Sequence, residues 1–311
     1  MSGNFDAMSL TRESMRISNP VQEPVQNIVQ DVPKTGPGDV SDVIRINGLR
    51  QIFNENTGKE YRLFDNFSLT IPDFHNEGQL VSIMGGSGCG KSYLLRTIAG
   101  LNTVQSGEIL IYGKPFHEYG HIPMVSQQYA TYGWMTVLDN VALPMMIKGM
   151  PKREARKKAM DILCSFGLCE HADKYARIGV LSGGQLQRVC VASCIATDSQ
   201  ILLLDEATGA LDIKMKREVQ DMLLNLFYNQ KRDMTILNVT HSVEEALYIS
   251  NRIIILQAKP CSIFKTMDIK YPGESVDNKR GKWIFNTDEY VRYSRELTAA
   301  LDEACGIRNE K

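Results

Sequence analysis

The stretch MGGSGCGKSYLL, residues 84–95, decides the fold. Its core is Gly85, four residues, then Gly90, Lys91 and Ser92, the spacing of a phosphate-binding loop. Its neighbours supply the order such a loop needs. Leu80–Met84 (LVSIM) is a short apolar run of buried-strand type, and Tyr93–Ala99 (YLLRTIA) continues as an apolar helix that Gly100 can end. The glycines let the backbone turn tightly and aim N–H groups at phosphate oxygens, and the helix N-terminus adds partial positive charge. In that frame Gly85, Gly86, Ser87, Gly88, Cys89 and Gly90 cradle the anion, with Tyr93 beside them. Lys91 reaches the β- and γ-phosphates, and the Ser92 hydroxyl ligates Mg²⁺. A glycine-rich turn with an incidental lysine would leave the flanking strand and helix unexplained.

The 311 residues suffice for one large or two modest domains, and 43% hydrophobic content supports a core. A net charge of −1 argues against a nucleic-acid binder. The longest apolar runs, such as ILLL at 201–204, fall far short of the roughly 18 residues that span a bilayer. The N-terminal MSGNFDAMSLTRESMRIS lacks a signal-peptide core. These features predict a cytosolic chain that meets a membrane only through a partner. Seven cysteines, odd in number and scattered, argue against a disulfide framework and are read as free thiols, Cys190 and Cys194 as buried ones on one helix face. Cys89 sits in the loop, where a helix N-terminus can activate a thiol. Alkylating it is expected to block nucleotide binding.

Residues 1–42 carry Pro20, Pro24, Pro33 and Pro37 and one aromatic, Phe5, and read as a disordered tail. VIRINGL (43–49) and FSLTIP (67–72) alternate as strands around a polar loop with Asn54, Asn56 and Gly58, and GEILIYG (107–113) reads as a further strand. In KREARKKAMDILCSF (152–166), Ala155, Ala159, Ile162, Leu163 and Phe166 recur at helical spacing, with Pro151 at the first helical position. Its basic run reads as a solvated face rather than a nucleic-acid patch. Thr287–Ala304 reads as a last amphipathic helix.

Two stretches build on the loop. ILLLDE, Ile201–Glu206, is an apolar strand ending in two acids. At the carboxyl end of a parallel strand, Asp205 lies beside the phosphate loop and holds Mg²⁺, while Glu206 polarises the attacking water. LSGGQLQR, Leu181–Arg188, places Ser182 as an N-cap before Gly183 and Gly184 and a helix. That is a second anion site at a helix N-terminus, and two such sites in one chain suggest a nucleotide sandwiched between two subunits.

With these motifs in place, the sequence resembles the ATP-binding cassette family, the ATPase subunits of ABC transporters, over about residues 43–265. GGSGCGKS, MVSQQ, LSGGQ, ILLLDE, GALD and NVTHS stand in the family's order. The resemblance implies an α/β P-loop NTPase: a RecA-like parallel-sheet core, an N-terminal antiparallel β subdomain and an inserted α-helical subdomain at about 128–196. Residues 266–311 would then be a C-terminal extension with a helix. It implies ATP and Mg²⁺ as ligands, and roles by position. Gln127 senses the metal and water. Ser182, Gly183, Gly184 and Gln185 read the γ-phosphate of the opposite subunit's ATP. Asp212 crosses the dimer interface, and His241 contacts the γ-phosphate. Phe53 stacks on adenine, with Tyr61 as the alternative.

Some positions depart from the family's habit. Ser242 follows the histidine where aspartate is frequent. Gly209 opens the GALD segment where serine is common. Gly133 and Ala176 replace common prolines, and two extra residues precede the signature. None removes a catalytic group, so an active ATPase is expected. Its implied partners are a transmembrane subunit, a second copy or a paralogous cassette, and a solute-binding protein, with no nucleic acid. The protein would sit on the cytoplasmic face of the membrane. QYATYGWMTVLDNVALP, after Gln127, would form the groove for the membrane subunit. Only 89 residues separate Ser92 from Ser182, too few for the coiled coil of chromosome-structure ATPases. A single cassette differs from translation-type proteins, and a small-molecule kinase lacks LSGGQ. HSVEEALYISNRIIILQAKPCSIF resembles importers of the nitrate, sulfonate and taurine group, whereas MTVLDNVALPMMIKGMPKREA and DEATGALD look like cassettes of lipoprotein or macrolide export. Import is the favoured reading.

Overall fold

The computed structural model describes residues 42–55, 57–73, 78–119, 122–128, 130–209, 211–229, 234–274 and 280–307. Of the tail read over residues 1–42, residues 1–41 lie outside the described residues, as do Asn56, Tyr129 and Ala210 in their motifs, while Asp42 opens the first strand.

Apolar alternation builds an antiparallel sheet first. β1 (Asp42–Phe53) buries Ile44, Ile46 and Leu49. It runs four residues past the VIRINGL pattern because the pairing register slips between Ile46 and Leu49, where Gly48 takes φ 56°. A bulge shifts the inward phase by one residue, so a strict period of two loses the strand there. β2 (Tyr61–Pro72) likewise starts six residues before FSLTIP, its pattern interrupted at Asn66, which has φ 62°. With β4 (Ser106–Ile111) and β5 (Lys114–Pro115) these strands form a sheet in the order β2-β1-β4-β5.

The second sheet carries the nucleotide loop. It comprises β3 (Gln79–Gly85), β6 (Met124–Val125), β7 (Ile201–Asp205), β8 (Thr235–Val239), β9 (Arg252–Gln257) and β10 (Ser262–Asp268), ordered β10-β9-β3-β8-β7-β6. All neighbours pair in parallel except β10 on β9. β7 and β8 are buried along their whole length, the composition of strands covered on both faces. The phosphate loop and the segments that carry Gln127, Glu206 and His241 follow β3, β6, β7 and β8 at the carboxyl edge of this sheet.

The helices cover it. α1 (Lys91–Ile98) follows the phosphate loop, and α2 (Phe116–Tyr119) is a single turn after β5. α3 (Val137–Ile147), α4 (Lys152–Ser165) and α5 (Gly183–Ile195) pack together within residues 128–196. α4 buries Ala155, Ala159 and Leu163. Pro151 is its N-cap, at ψ 137°, rather than its first helical residue, because the chain is still extended where it enters. α6 (Ile213–Asn229) and α7 (Val243–Ile249) follow β7 and β8. α8 (Asp288–Ala304) is capped by Thr287, whose hydroxyl accepts from Tyr290 N–H at 3.2 Å. β10 runs across residue 265, and Ile269, Tyr271, Ile284, Leu297 and Ala300 are buried in the core. The C-terminal segment therefore packs onto the cassette instead of trailing from it.

The thiol expectation needs correction. Cys164 and Cys169 are joined in a disulfide, their Cα atoms 4.6 Å apart. The chain reverses between them at Gly167, φ 66°, which sequence spacing does not reveal. Cys190, Cys261 and Cys89 are buried free thiols, Cys194 is half-buried and Cys305 is exposed.

Gly100 ends α1 at φ 76°, and a Cβ there would lie 1.8 Å from the Phe116 ring. Gly100→Ala is expected to cost about 2 kcal/mol, from the left-handed backbone and the displaced ring. Thermal unfolding should then begin several degrees earlier.

Candidate functional site

The phosphate loop rises from the end of β3 as a crest, with Ser87 and Gly88 exposed and Cys89 and Lys91 buried. Gly85, Gly88 and Gly90 adopt φ 150°, 77° and 100°. A Cβ at Gly85 would lie 2.4 Å from the Leu256 carbonyl on β9, so glycine is needed there for the close approach as well as the turn. Lys91 folds back over the loop and donates from Nζ to the carbonyls of Gly85 at 2.9 Å and Gly86 at 3.0 Å. Cys89 is 1% exposed and its Sγ lies 3.8 Å from Lys91 Nζ. Its side chain therefore packs beneath the loop, leaving only its backbone to face an anion. The thiol beside the loop's other side is Cys305, at the end of α8, whose Sγ stands 3.0 Å from where a Gly86 Cβ would be.

Asp205 ends β7, and β8 stands between β7 and β3, so a whole strand separates the acid from the strand that leads into the loop. The contact forms nonetheless. Ser92 Oγ donates to Asp205 Oδ1 at 2.7 Å, with α1 packed against β3, β7 and β8. Glu206 follows at φ 49°, a left-handed conformation that a non-glycine residue holds only when its surroundings fix it. Its N–H donates to the Val239 carbonyl at 2.9 Å, and its own carbonyl accepts from Gly209 N–H at 3.0 Å. His241 Nδ1 lies 3.6 Å from Glu206 Oε1, with the histidine largely exposed. A hydroxyl, two carboxylates and an imidazole from three loops thus meet at one edge.

The remaining expected residues lie elsewhere. Phe53 pairs across the antiparallel sheet with Tyr61. Their rings stack at 6.3 Å, and Tyr93 meets Phe53 edge-on at 5.7 Å. Tyr61 also donates its hydroxyl to the Gly88 carbonyl at 2.7 Å. The two alternatives for a base platform are therefore one aromatic cluster touching the phosphate loop. Ser182 caps α5: its hydroxyl accepts from Gln185 N–H at 3.2 Å, and its N–H donates to Gln185 Oε1 at 2.9 Å, a capping box. Gln185 Nε2 reaches His171 Nε2 at 2.7 Å. Partial burial, then Lys174, lowers the His171 pKa below its ordinary value, which favours the neutral ring that can accept this bond. Ser182–Gln185 thus bond to each other and to His171, not to the phosphate loop of their own chain. Gly184 lies against Met215 of α6, with side-chain atoms 3.0–3.1 Å from a Cβ there. Asp212 caps α6, accepting from Met215 N–H at 3.0 Å. Gln127, two residues past β6, is exposed and makes no hydrogen bond to Ser92 or Asp205 among the described residues.

The departures acquire local reasons. Ser242 N-caps α7 by accepting from Glu245 N–H at 3.3 Å, a task serine and aspartate do equally well. Ala176 donates its N–H to the Met135 carbonyl at 3.1 Å, a bond that proline would delete. At Gly209 a Cβ would lie 3.3 Å from the Glu206 carbonyl, tighter than most contacts. Sequence reasoning missed His171, Glu245 and Cys305. His171 meets Gln185 14 residues on, and Glu245 meets Thr208 37 residues back; no local motif marks such pairs.

Burial raises the pKa of Cys190 to about 11 and those of Cys194 and Cys261 to about 12, which suppresses their thiolates. Alkylation of the folded chain at neutral pH, read by peptide mass spectrometry, should therefore label Cys305 first and leave Cys89 unmodified until unfolding. Early labelling of Cys89 would contradict the packing under the loop.

Known proteins bear on this geometry. The ABC transporter family matches residues 64–209. An uncharacterized ABC transporter ATP-binding protein of Methanocaldococcus jannaschii is 37% identical, over 84% of this chain and 91% of that protein. The nitrate import ATP-binding protein of Synechocystis sp. is 37% identical over 72% and 84%, and the taurine import ATP-binding protein of Roseobacter denitrificans 36% over 76% and 85%. Spermidine/putrescine import ATP-binding proteins match at 35–37% identity. The dimeric post-hydrolysis state of an ATP-binding cassette bound to ADP and Pi superposes with a TM-score of 0.62 at 28% identity, covering 73% of this chain and 99% of that one. The motif order, the carboxyl-edge site and these similarities agree: the chain belongs to the ABC transporter family, as one of its ATPase subunits.

Proposed function

We propose that two cassettes, this chain with a second copy or a paralogue, close head to tail around two ATP molecules and drive a separate transmembrane subunit that imports a small solute. One observation carries the hydrolytic part: Ser92, Asp205, Glu206 and His241 converge at the carboxyl edge of one sheet.

Each residue then has a task. Phe53 and Tyr61 offer an aromatic face to the adenine. The N–H groups of Gly86, Ser87, Gly88, Cys89, Gly90 and Lys91 hold the phosphates, with Ser92 and Tyr93 completing the helix start. Lys91 exchanges the Gly85 and Gly86 carbonyls for phosphate oxygens. The Ser92 hydroxyl and Asp205 carboxylate, 2.7 Å apart, are hard oxygen donors suited to Mg²⁺, with Gln127 as a further candidate. When bound, Mg²⁺ would neutralise charge on the β- and γ-oxygens. Glu206 orients and deprotonates the attacking water, and His241 donates to the γ-phosphate. Ser182, Gly183, Gly184 and Gln185 serve the partner's ATP, which agrees with their bonding away from their own phosphate loop. Asp212, at the exposed start of α6, faces the partner.

Membrane attachment falls to the surface after Gln127. Val137, Leu138, Val141 and Ala142 are buried, whereas Tyr132 and Trp134 are exposed and pack edge-on at 5.3 Å. They offer an aromatic seat to a short helix of the transmembrane subunit. Among the described residues no helix is long and apolar enough to cross a membrane; the cytoplasmic face proposed for the chain rests on its likeness to import ATP-binding proteins. The relatives named for nitrate and taurine import support import; a solute-binding protein in the full system is what the family resemblance implies. An anionic cargo rests on those names, and spermidine/putrescine importers match at similar identity, the chain spanning 56–58% of their length. Export of lipoprotein or macrolide type is the alternative.

Glu206→Gln in the tagged chain is expected to keep ATP binding while turnover falls at least about 100-fold. Purified from native membranes with ATP and Mg²⁺, it should bring down a multi-span protein from a system with a solute-binding protein. Recovery of soluble proteins alone, while the chain itself dimerises, would overturn the transport reading.

A further inference from the structure

A buried carboxylate outside the nucleotide-contacting set links the segments that carry Glu206, His241 and Asp212. Glu245, in the first turn of α7, is 2% exposed. Its Oε2 accepts from the Thr208 hydroxyl at 2.6 Å and from Lys216 Nζ at 2.9 Å, and its Oε1 accepts from Asn238 Nδ2 at 3.3 Å. The three donors belong to three elements. Thr208, 1% exposed, lies in the turn after β7 that the Gly209 N–H to Glu206 carbonyl bond closes. Asn238 is in β8, three residues before His241. Lys216 is on α6, and its N–H donates to the Asp212 carbonyl at 2.8 Å. Glu245's own N–H reaches Ser242, next to His241.

A carboxylate costs several kcal/mol to bury unless donors fill its oxygens. Here both oxygens are filled, from the turn after Glu206, the strand before His241 and the helix after Asp212. Its partners include neither the phosphate loop nor the aromatic pair. We propose that Glu245 is a positioning residue for the hydrolytic step. It holds the left-handed Glu206 turn, the His241 loop and the start of α6 in register, so that the water-orienting groups and the partner-facing Asp212 move as one unit. The proposal rests on the roles assigned above to Glu206 and His241.

The signature to seek is a split between turnover and affinity. In the full-length chain, Glu245→Gln keeps the shape but removes the charge that Lys216 meets. It is expected to lower kcat about 10- to 100-fold, while Kd for ATP, read by titration with a fluorescent nucleotide, changes less than about twofold. Thr208→Val, which deletes only the hydroxyl, should show the same split. The double variant should be no slower than the slower single one, because both changes cut one network. Wild-type kcat in folded E245Q and T208V would overturn the proposal. So would equal loss of affinity and turnover, or effects that simply add. Should E245Q not fold, T208V and Lys216→Met carry the comparison by the same criteria. Glu206→Gln, run beside them, separates the two levels. Retained turnover in E206Q defeats the reading of the site itself, whereas an inactive E206Q with a wild-type-like E245Q defeats only the positioning role.

Discussion

The hydrogen bond from Ser92 to Asp205 is the contact on which the rest of the site depends. It spans β8 and ties the first turn of α1 to the end of β7 at 2.7 Å. To form it, β3, β8 and β7 must lie parallel and in register, so that Ile83, Val239 and Asp205 end at one level. That register needs strands buried on both faces, which needs the flanking helices. A one-residue slip would turn Asp205 away from the edge.

Around that bond the molecule divides its work. The antiparallel sheet contributes the Phe53–Tyr61 pair and holds it against the phosphate loop through the Tyr61–Gly88 bond. The helical segment contributes a capped helix whose signature residues bond among themselves and to His171. The parallel sheet contributes the acids and the histidine. The function proposed above would use this division: locally rigid loops in each chain, with the set completed when two chains meet.

The C-terminal segment takes part in this arrangement. Arg217 of α6 lies over the rings of Tyr248 and Phe285 at 4.1 and 4.8 Å and pairs with Glu244 at 2.5 Å. The two rings are themselves stacked. α6 and α7 are thereby joined to residues beyond 265, and the end of α8 reaches the phosphate loop at Gly86. The sequence showed a helix there, but its seat depends on packing between residues far apart in the chain.

What the sequence determined by itself follows from short-range physics. A phosphate loop needs glycines, a lysine and a hydroxyl at fixed spacing, so Gly85–Ser92 announced the site. Ile201–Glu206 and Leu181–Arg188 were equally legible, because a buried strand ending in acids and a capped glycine-rich helix are local patterns. Strand lengths were not, since the irregularities near Gly48 and Asn66 break the period on which the eye relies. Tertiary structure alone decided that Cys89 is buried and Cys305 exposed, that Cys164 meets Cys169, and that β8 separates Asp205 from β3. It alone brought Glu245 against Thr208, Asn238 and Lys216. Each of these is a relation between residues brought together by the packing of the whole chain, where burial and hydrogen-bond satisfaction, rather than spacing, select the partners.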